Sequence, residues 1–262
     1  MEYKNKTEEI RFIVDVFNTD FHRDLNISRL GGEILNAAEK HAGLRGFGLN
    51  DIRRDNHSWV LSRLTIEMEQ MPQVYDQCTI ETWIENIYRV FTNRNFHITG
   101  PQGQTLGYAR SIWAMIDNDT RQPVDIAAIY SARFEPFLYA EHPCPIRQHS
   151  RLRPLPPTTP IAETVTVRYS DIDYNGHMNS IKYIEHVCNL FPIDYLRDHR
   201  LHRIEVAYLA EATHGEALHF YMVEEEPHVY IVEAYKNPSS DPTKSTADSR
   251  GTAVLRSRLE FN

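Results

Sequence analysis

Two stretches of the chain carry the same succession of apolar and polar positions. Val165, Val167 and Tyr169 alternate with polar residues and predict a strand with one apolar face, which Gly176 interrupts. Ile181, Tyr183, Ile184, Val187, Cys188, Leu190 and Phe191 then cover nearly every side of a helix, with Asn179 or Ser180 as N-cap and Pro192 as its stop. A helix apolar all round is expected to be buried. Phe12, Val14 and Val16 lead in the same manner through Asn18 to Asn26 into a second helix-like segment. An offset of 153 positions pairs Asp20 with Asp173, His22 with Asn175, Asp24 with His177 and Asn26 with Asn179. Farther along, an offset of 140 pairs Arg63 with Arg203, Met68 with Tyr208, Met71 with Glu211 and Asp76 with Glu216. The change of offset predicts an insertion after the first helix, in the run Gly43, Gly46, Gly48, where extra loop length costs little.

Each copy continues into strands of period two, Ile80, Thr82 and Ile84 in the first and Leu218, Phe220 and Met222 in the second. Between them lies a proline-rich run, Pro143 and Pro145 through Pro154, Pro156, Pro157 and Pro160, of the kind that forms an extended linker. The division is therefore an N-terminal domain over residues 1–144, a linker over 145–160 and a C-terminal domain over 161–262. One helix per strand-rich copy predicts an α+β fold, with each antiparallel sheet wrapped around a central buried helix.

Composition narrows the function. The chain has 262 residues, 41% of them hydrophobic, enough for two cores. A net charge of −8 argues against nucleic acid as a partner, leaving Arg147, Arg151 and Arg153 with Arg53 and Arg54 as candidates for a local basic surface. Cys78, Cys144 and Cys188 are widely spaced and form no C-x-x-C pair, so they read as buried thiols, not as disulfides or zinc ligands. There is no apolar run of membrane-spanning length and no signal-like stretch at the N-terminus, so a cytoplasmic protein without a membrane span is expected.

The chemistry concentrates in the segment from Asp171 to Tyr183. Asp171, Asp173, Asn175 and Gly176 match the opening of an EF-hand loop, yet position 12, which should be Glu, is Lys182, and a strand precedes the loop. Asp and Asn before a helix also serve as ordinary caps and turn residues. Capping does not call for Asp173, Asn175 and His177 at successive alternate positions with Glu211 some 35 residues on. That set suits hydrolysis of an activated acyl group. Glu211 would activate a water, His177 and Asn175 would position it or the carbonyl, and Asp173 would orient them. Backbone N–H groups at the helix N-terminus near Asn179, Ser180 and Lys182 would stabilise the oxyanion. No covalent nucleophile is required. Ser170 and Ser180 sit in no nucleophile elbow, and Cys188 lies well inside the helix.

These residues resemble the acyl-acyl carrier protein thioesterases, which carry two hotdog domains in tandem, and the likeness spans almost the whole chain. Asp171, Asp173, Asn175, His177 and Asn179 are similar to the family's D-x-D-x-N-x-H-x-N motif, with Tyr183 in the expected place on the helix. Trp59, Arg63, Gly103, Gly107, Arg110, Ser111, Trp113, Met115, Thr120 and Arg121 resemble its N-terminal domain, and Tyr208 through Glu216 resembles the stretch carrying its catalytic carboxylate. The resemblance implies hydrolysis of the thioester joining a fatty acyl chain to the carrier's phosphopantetheine arm, with Asp173, Asn175, His177 and Glu211 as the catalytic set and no cofactor. Plant members often have Cys directly after that Glu. Here the position is Ala212, so a Cys–His mechanism is unavailable. The resemblance also implies an acyl chain lying in the N-terminal domain, where apolar Met71 replaces the carboxylate. The acidic carrier would dock on the Arg53, Arg54, Arg147, Arg151 and Arg153 groups. The alternatives are a thioesterase acting on acyl-coenzyme A, a non-catalytic acyl-thioester-binding protein, and a hydratase or dehydratase on the same fold. Two repeats in one chain can pair internally, so monomer and homodimer both remain open.

Overall fold

Period-two alternation in the first half forms five strands, and the apolar stripe that follows the first of them forms the long helix they carry. The computed structural model describes residues 5–237 and 250–262 and divides into two compact units, Met1–Gln148 and His149–Asn262. The N-terminal unit runs β1 (Thr7–Ile13), α1 (Ile27–Leu44), α2 (Leu49–Arg54), β2 (His57–Met68), β3 (Gln77–Tyr88), β4 (Phe91–Thr99), β5 (Thr105–Asp117) and α3 (Ile126–Phe134). Its strands lie in the order β1-β3-β4-β5-β2, every neighbouring pair antiparallel. α1 lies against β1 and β3 and buries Leu30, Ile34, Ala37 and Ala38. Leu30 and Ile34 are fully enclosed, each worth about 2 kcal/mol of apolar burial.

The C-terminal unit runs β6 (Ile161–Thr166), α4 (Ser180–Asn189), α5 (Ile193–Asp198), β7 (Leu201–Tyr208), β8 (Ala217–Glu226), β9 (Val229–Lys236) and β10 (Thr252–Phe261). Its strand order, β6-β8-β9-β10-β7, reproduces that of the first unit strand for strand, again antiparallel throughout. Each unit is thus an α+β hotdog. Among the described residues no helix is long and apolar enough to cross a membrane.

Both internal offsets hold at the level of single hydrogen bonds. Leu25 N donates to Pro72 O as Met178 N does to Ala212 O, and Asn26 N donates to Asn18 O as Asn179 N does to Asp171 O. Tyr75 N donates to Val14 O as Gly215 N does to Val167 O.

Three details differ from the sequence expectation. The strand through Val165 ends at Thr166, and Tyr169–Asp171 is one turn of 3-10 helix with Tyr169 89% exposed. The cause is local: the Asp171 carboxylate accepts the Arg168 N–H at 2.7 Å and turns the chain. Second, α4 is not apolar all round. It buries Tyr183, Ile184 and Val187, while Lys182 and Glu185 pair at 2.6 Å on another side. Third, much of the inserted length is helix instead of loop, since α1 has 18 residues against 10 in α4 and Gly43 lies inside it.

The proline-rich segment is anchored. Ser150 N and Oγ donate to Glu205 at 2.7 and 3.1 Å, and the Leu155 N–H donates to Glu233 at 3.1 Å. Leu155 joins a core of Tyr221, Ile231 and Tyr235.

Candidate active site

The junction between the 3-10 turn and α4 is a tight loop organised by one carboxylate. Asp173 Oδ1 accepts the N–H groups of Asn175 and His177 at 2.8 and 3.3 Å, and Asp173 N donates to His177 O at 2.8 Å. Gly176 takes φ +81, a conformation that a residue without Cβ adopts at little cost. In the N-terminal unit Asp20 holds His22 N and Asp24 N at 2.8 and 3.2 Å, with Arg23 at φ 69 in the place of Gly176. The same turn is therefore built twice, and its side chains decide what each copy can do.

In the C-terminal unit the turn delivers His177 to Glu211. Their side chains approach to 3.4 Å between Nε2 and Oε2, and they are 29% and 42% exposed. His177 pairs with Thr213 as an isolated bridge, which fixes the loop against the segment after β7. Glu211 is held from behind, because Lys236 Nζ donates to its carbonyl oxygen at 2.7 Å and pairs with Glu216 at 3.2 Å. Glu216 also accepts the Thr213 N–H at 2.6 Å. Burial would raise the Glu216 pKa, but the Thr213 N–H and the Lys236 ammonium outweigh it and hold that carboxyl below its usual range.

The remaining candidates fall around this pair in different ways. Asp173 lies beneath the loop with its carboxylate taken up by backbone, and Asn175 stands exposed at the tip of the turn. Asn179 is the N-cap of α4, accepting the Ile181 N–H at 2.9 Å, and Lys182 N donates to Asn179 O. Two of the amides expected to receive an oxyanion are thus already committed. The Ser180 N–H at the helix N-terminus makes no hydrogen bond among the described residues. Met71 occupies in the N-terminal unit the place of Glu211 and is half-buried. Arg53, Arg54, Arg147, Arg151 and Arg153 are all exposed, with Arg54 3.4 Å from Asp51.

Sequence reasoning missed several supports. Lys236 arrives from the end of β9 and carried no local signal. Tyr208 donates from its hydroxyl to Ser180 O at 3.0 Å and steadies the first turn of α4. Asp171 was read as part of the motif, and its carboxylate also sits 3.5 Å from His186. Cys188 is half-buried, unlike the buried Cys78 and Cys144, and desolvation and then Glu185 push its thiol up to about 12, which keeps it protonated.

What the arrangement can do is limited and specific. It offers a carboxylate beside an imidazole at a solvent-reachable edge, a free helix-terminal amide, and no activated serine or cysteine. Such a set can move protons to and from water and stabilise a developing oxyanion.

Comparison with known proteins finds likenesses to both units. The model of the acyl-ACP thioesterase N-terminal domain matches residues 5–134, and that of the acyl-ACP thioesterase C-terminal domain matches residues 156–249. A crystal structure of an acyl-ACP thioesterase from Bacteroides thetaiotaomicron is 39% identical, with a TM-score of 0.86 over 98% of both chains. The 12:0-ACP thioesterase from Umbellularia californica shares the fold at a TM-score of 0.83, covering 98% of this chain and 97% of the other, with 19% identity. Among curated relatives, a chloroplastic palmitoyl-acyl carrier protein thioesterase of Gossypium hirsutum is 25% identical over 68% of this chain and 45% of its own length. A chloroplastic oleoyl-acyl carrier protein thioesterase of Arabidopsis thaliana is 24% identical over 84% of this chain and 64% of its own. The chain spans about half to two-thirds of the length of these curated relatives.

Proposed function

This chain belongs to the acyl-ACP thioesterase family, and on that premise we propose that it hydrolyses the thioester of a fatty acyl-acyl carrier protein, releasing free fatty acid and the carrier thiol. The observation that carries the reading is the 3.4 Å approach of His177 to Glu211, two residues brought together from separate elements of the C-terminal unit.

In the proposed reaction Glu211 takes a proton from water as its oxygen attacks the thioester carbonyl carbon. The carbonyl π electrons move to oxygen, and that oxyanion is received by the Ser180 N–H and the Asn175 side-chain amide. Collapse re-forms the carbonyl and breaks the C–S bond, and the proton passes through His177 to the departing sulfur. Asp173 acts through the loop by fixing the backbone of His177. Water is the only nucleophile the scheme needs, which suits a site whose nearby thiol is held protonated.

The acyl chain is assigned to the N-terminal domain, residues 1–144, and catalysis to residues 161–262. The apolar Met71 in place of Glu211 supports that division. An acidic carrier would approach through Arg53, Arg54, Arg147, Arg151 and Arg153, all of them exposed. Release of fatty acid should be measured from a panel of acyl-acyl carrier protein thioesters alongside the matching acyl-coenzyme A thioesters. A higher kcat/KM on the carrier protein supports the reading, and a preference for coenzyme A replaces it.

A further inference from the structure

Lys236 stands at the end of β9, opposite Leu218 on β8, and its ammonium reaches the segment that carries Glu211. Nζ donates to the Glu211 carbonyl oxygen at 2.7 Å and lies 3.2 Å from Glu216 Oε1. Glu216 in turn accepts from the Thr213 N–H at 2.6 Å and from the Thr213 hydroxyl at 3.2 Å, and Thr213 bridges to His177. One cation is thus joined to both members of the His177–Glu211 pair.

The Met178 N–H donates to Ala212 O at 2.8 Å, which ties the peptide after His177 to the peptide after Ala212. A single hydrogen bond leaves a pivot. Lys236 holds the preceding peptide, between Glu211 and Ala212, by its carbonyl oxygen, so two successive peptides are fixed and the Cα–Cβ direction of Glu211 with them. The Lys236 and Glu216 side chains are 24% and 34% exposed, so these charge-assisted bonds are partly shielded from water.

The N-terminal unit shows which of these contacts the turn itself needs. Leu25 N donates to Pro72 O at 2.8 Å, Asp24 bridges to Gln73, and Gln73 N donates to Asp76 Oδ2 at 2.9 Å, each the counterpart of a contact in the C-terminal unit. The cation has no counterpart. Thr79 pairs with Thr99 where His219 pairs with Tyr235, so the place of Lys236 falls to Gly100, which has no side chain. The same turn therefore closes without an ammonium, and the ammonium is found in the copy where the residue it holds is Glu211 and not Met71.

We propose that Lys236 is a positioning residue of the hydrolytic site, fixing the backbone of Glu211 so that its carboxylate meets His177 and the attacking water. The inference rests on the reading of Glu211 as the base, and its test separates the two.

The variants are Lys236→Met, which keeps the stem and drops the charge, and Lys236→Arg, which keeps a charged donor. On acyl carrier protein thioesters Lys236→Met should lower kcat at least about tenfold with KM within about twofold, because a misplaced base acts on the chemical step. Lys236→Arg should restore kcat to within about threefold of native. The melting temperature of Lys236→Met should stay within about 4 °C of the native value, the scale of losing a partly exposed ion pair. In a Glu211→Gln background the same change should cost less than about twofold more, since no base is left to position. A native kcat in Lys236→Met overturns the proposal, and so does an equal fractional loss in both backgrounds, the mark of a merely structural role. A crystal structure of Lys236→Met reads the positioning without turnover: a separation of His177 Nε2 from Glu211 Oε2 about 1 Å or more beyond the native 3.4 Å is expected, and an unchanged one overturns the proposal. Should Glu211→Gln alone turn over normally, the reading of the base fails, and that separation still decides whether Lys236 positions the pair.

Discussion

Asp173→Ala is the most informative single change, because the chain contains its own control in Asp20→Ala. Each carboxylate holds two backbone N–H groups across the same turn, at 2.8 and 3.3 Å for Asp173 and 2.8 and 3.2 Å for Asp20. A hydrogen bond to an ionised acceptor contributes about 1.5–3 kcal/mol at most, and both turns are half-buried, so a loss near 2 kcal/mol is expected for either variant. For a protein of this size that corresponds to a fall of about 4–8 °C in Tm. The two should part company in kinetics. Removing Asp173 loosens the backbone that aims His177 at Glu211, and a misplacement of about 1 Å costs on the order of 10²-fold in kcat. Removing Asp20 loosens a turn that carries Asp24 toward Gln73 and touches no proposed chemistry. Differential scanning calorimetry and steady-state release of fatty acid, run on both variants, measure the two effects separately. Equal loss of kcat in both, or normal kcat in a destabilised Asp173→Ala protein, would refute the assignment of Asp173 as a positioning residue.

Other expectations are read in the same assays. His41 is neutral in the folded protein, with its pKa lowered from 6.5 to about 2, whereas the unfolded chain protonates it below 6.5. Its contribution is therefore complete above pH 6.5 and is lost toward pH 2 at about 1.4 kcal/mol per pH unit, and His41→Gln should flatten the acid limb of a urea-midpoint series between pH 7 and 5. Cys188 should react slowly with iodoacetamide at pH 8, and Cys188→Ser should retain kcat within about threefold, since no step is routed through the thiol. Reversing Arg53 and Arg54, or Arg147, Arg151 and Arg153, to Glu should raise KM for the acyl carrier protein thioester at low salt and leave kcat on an N-acetylcysteamine thioester in place. An unchanged KM disposes of the docking surface.

The repeat was legible because its two copies share side-chain spacing at positions that fix backbone hydrogen bonds. Asp20 and Asp173, and Asp76 and Glu216, perform the same task in both units, accepting N–H groups of a turn, so their chemistry had to persist. His177 and Glu211 were legible for the opposite reason, since their counterparts Asp24 and Met71 break the match. Element ends were harder. Val167 and Tyr169 continue the alternation of the strand, but the Asp171 carboxylate overrides it with a turn. The committed amides of Ile181 and Lys182 were invisible, because whether an N-cap side chain bonds one amide or another is a matter of geometry. Lys236 and Arg94 gave no signal at all. One supports Glu211 from about 25 residues away through its carbonyl oxygen, and the other follows the inward alternation of β4 in a position where an apolar residue is expected.

The proposed hydrolysis depends on Glu211 drawing a proton from water next to His177. The direct measurement is kcat for fatty acid release from acyl carrier protein thioesters by Glu211→Gln, with the melting temperature confirming an intact fold. The near-isosteric amide keeps the shape and loses the base, so kcat should fall about 10²-fold or more. A folded Glu211→Gln protein turning over at close to the native rate would contradict it.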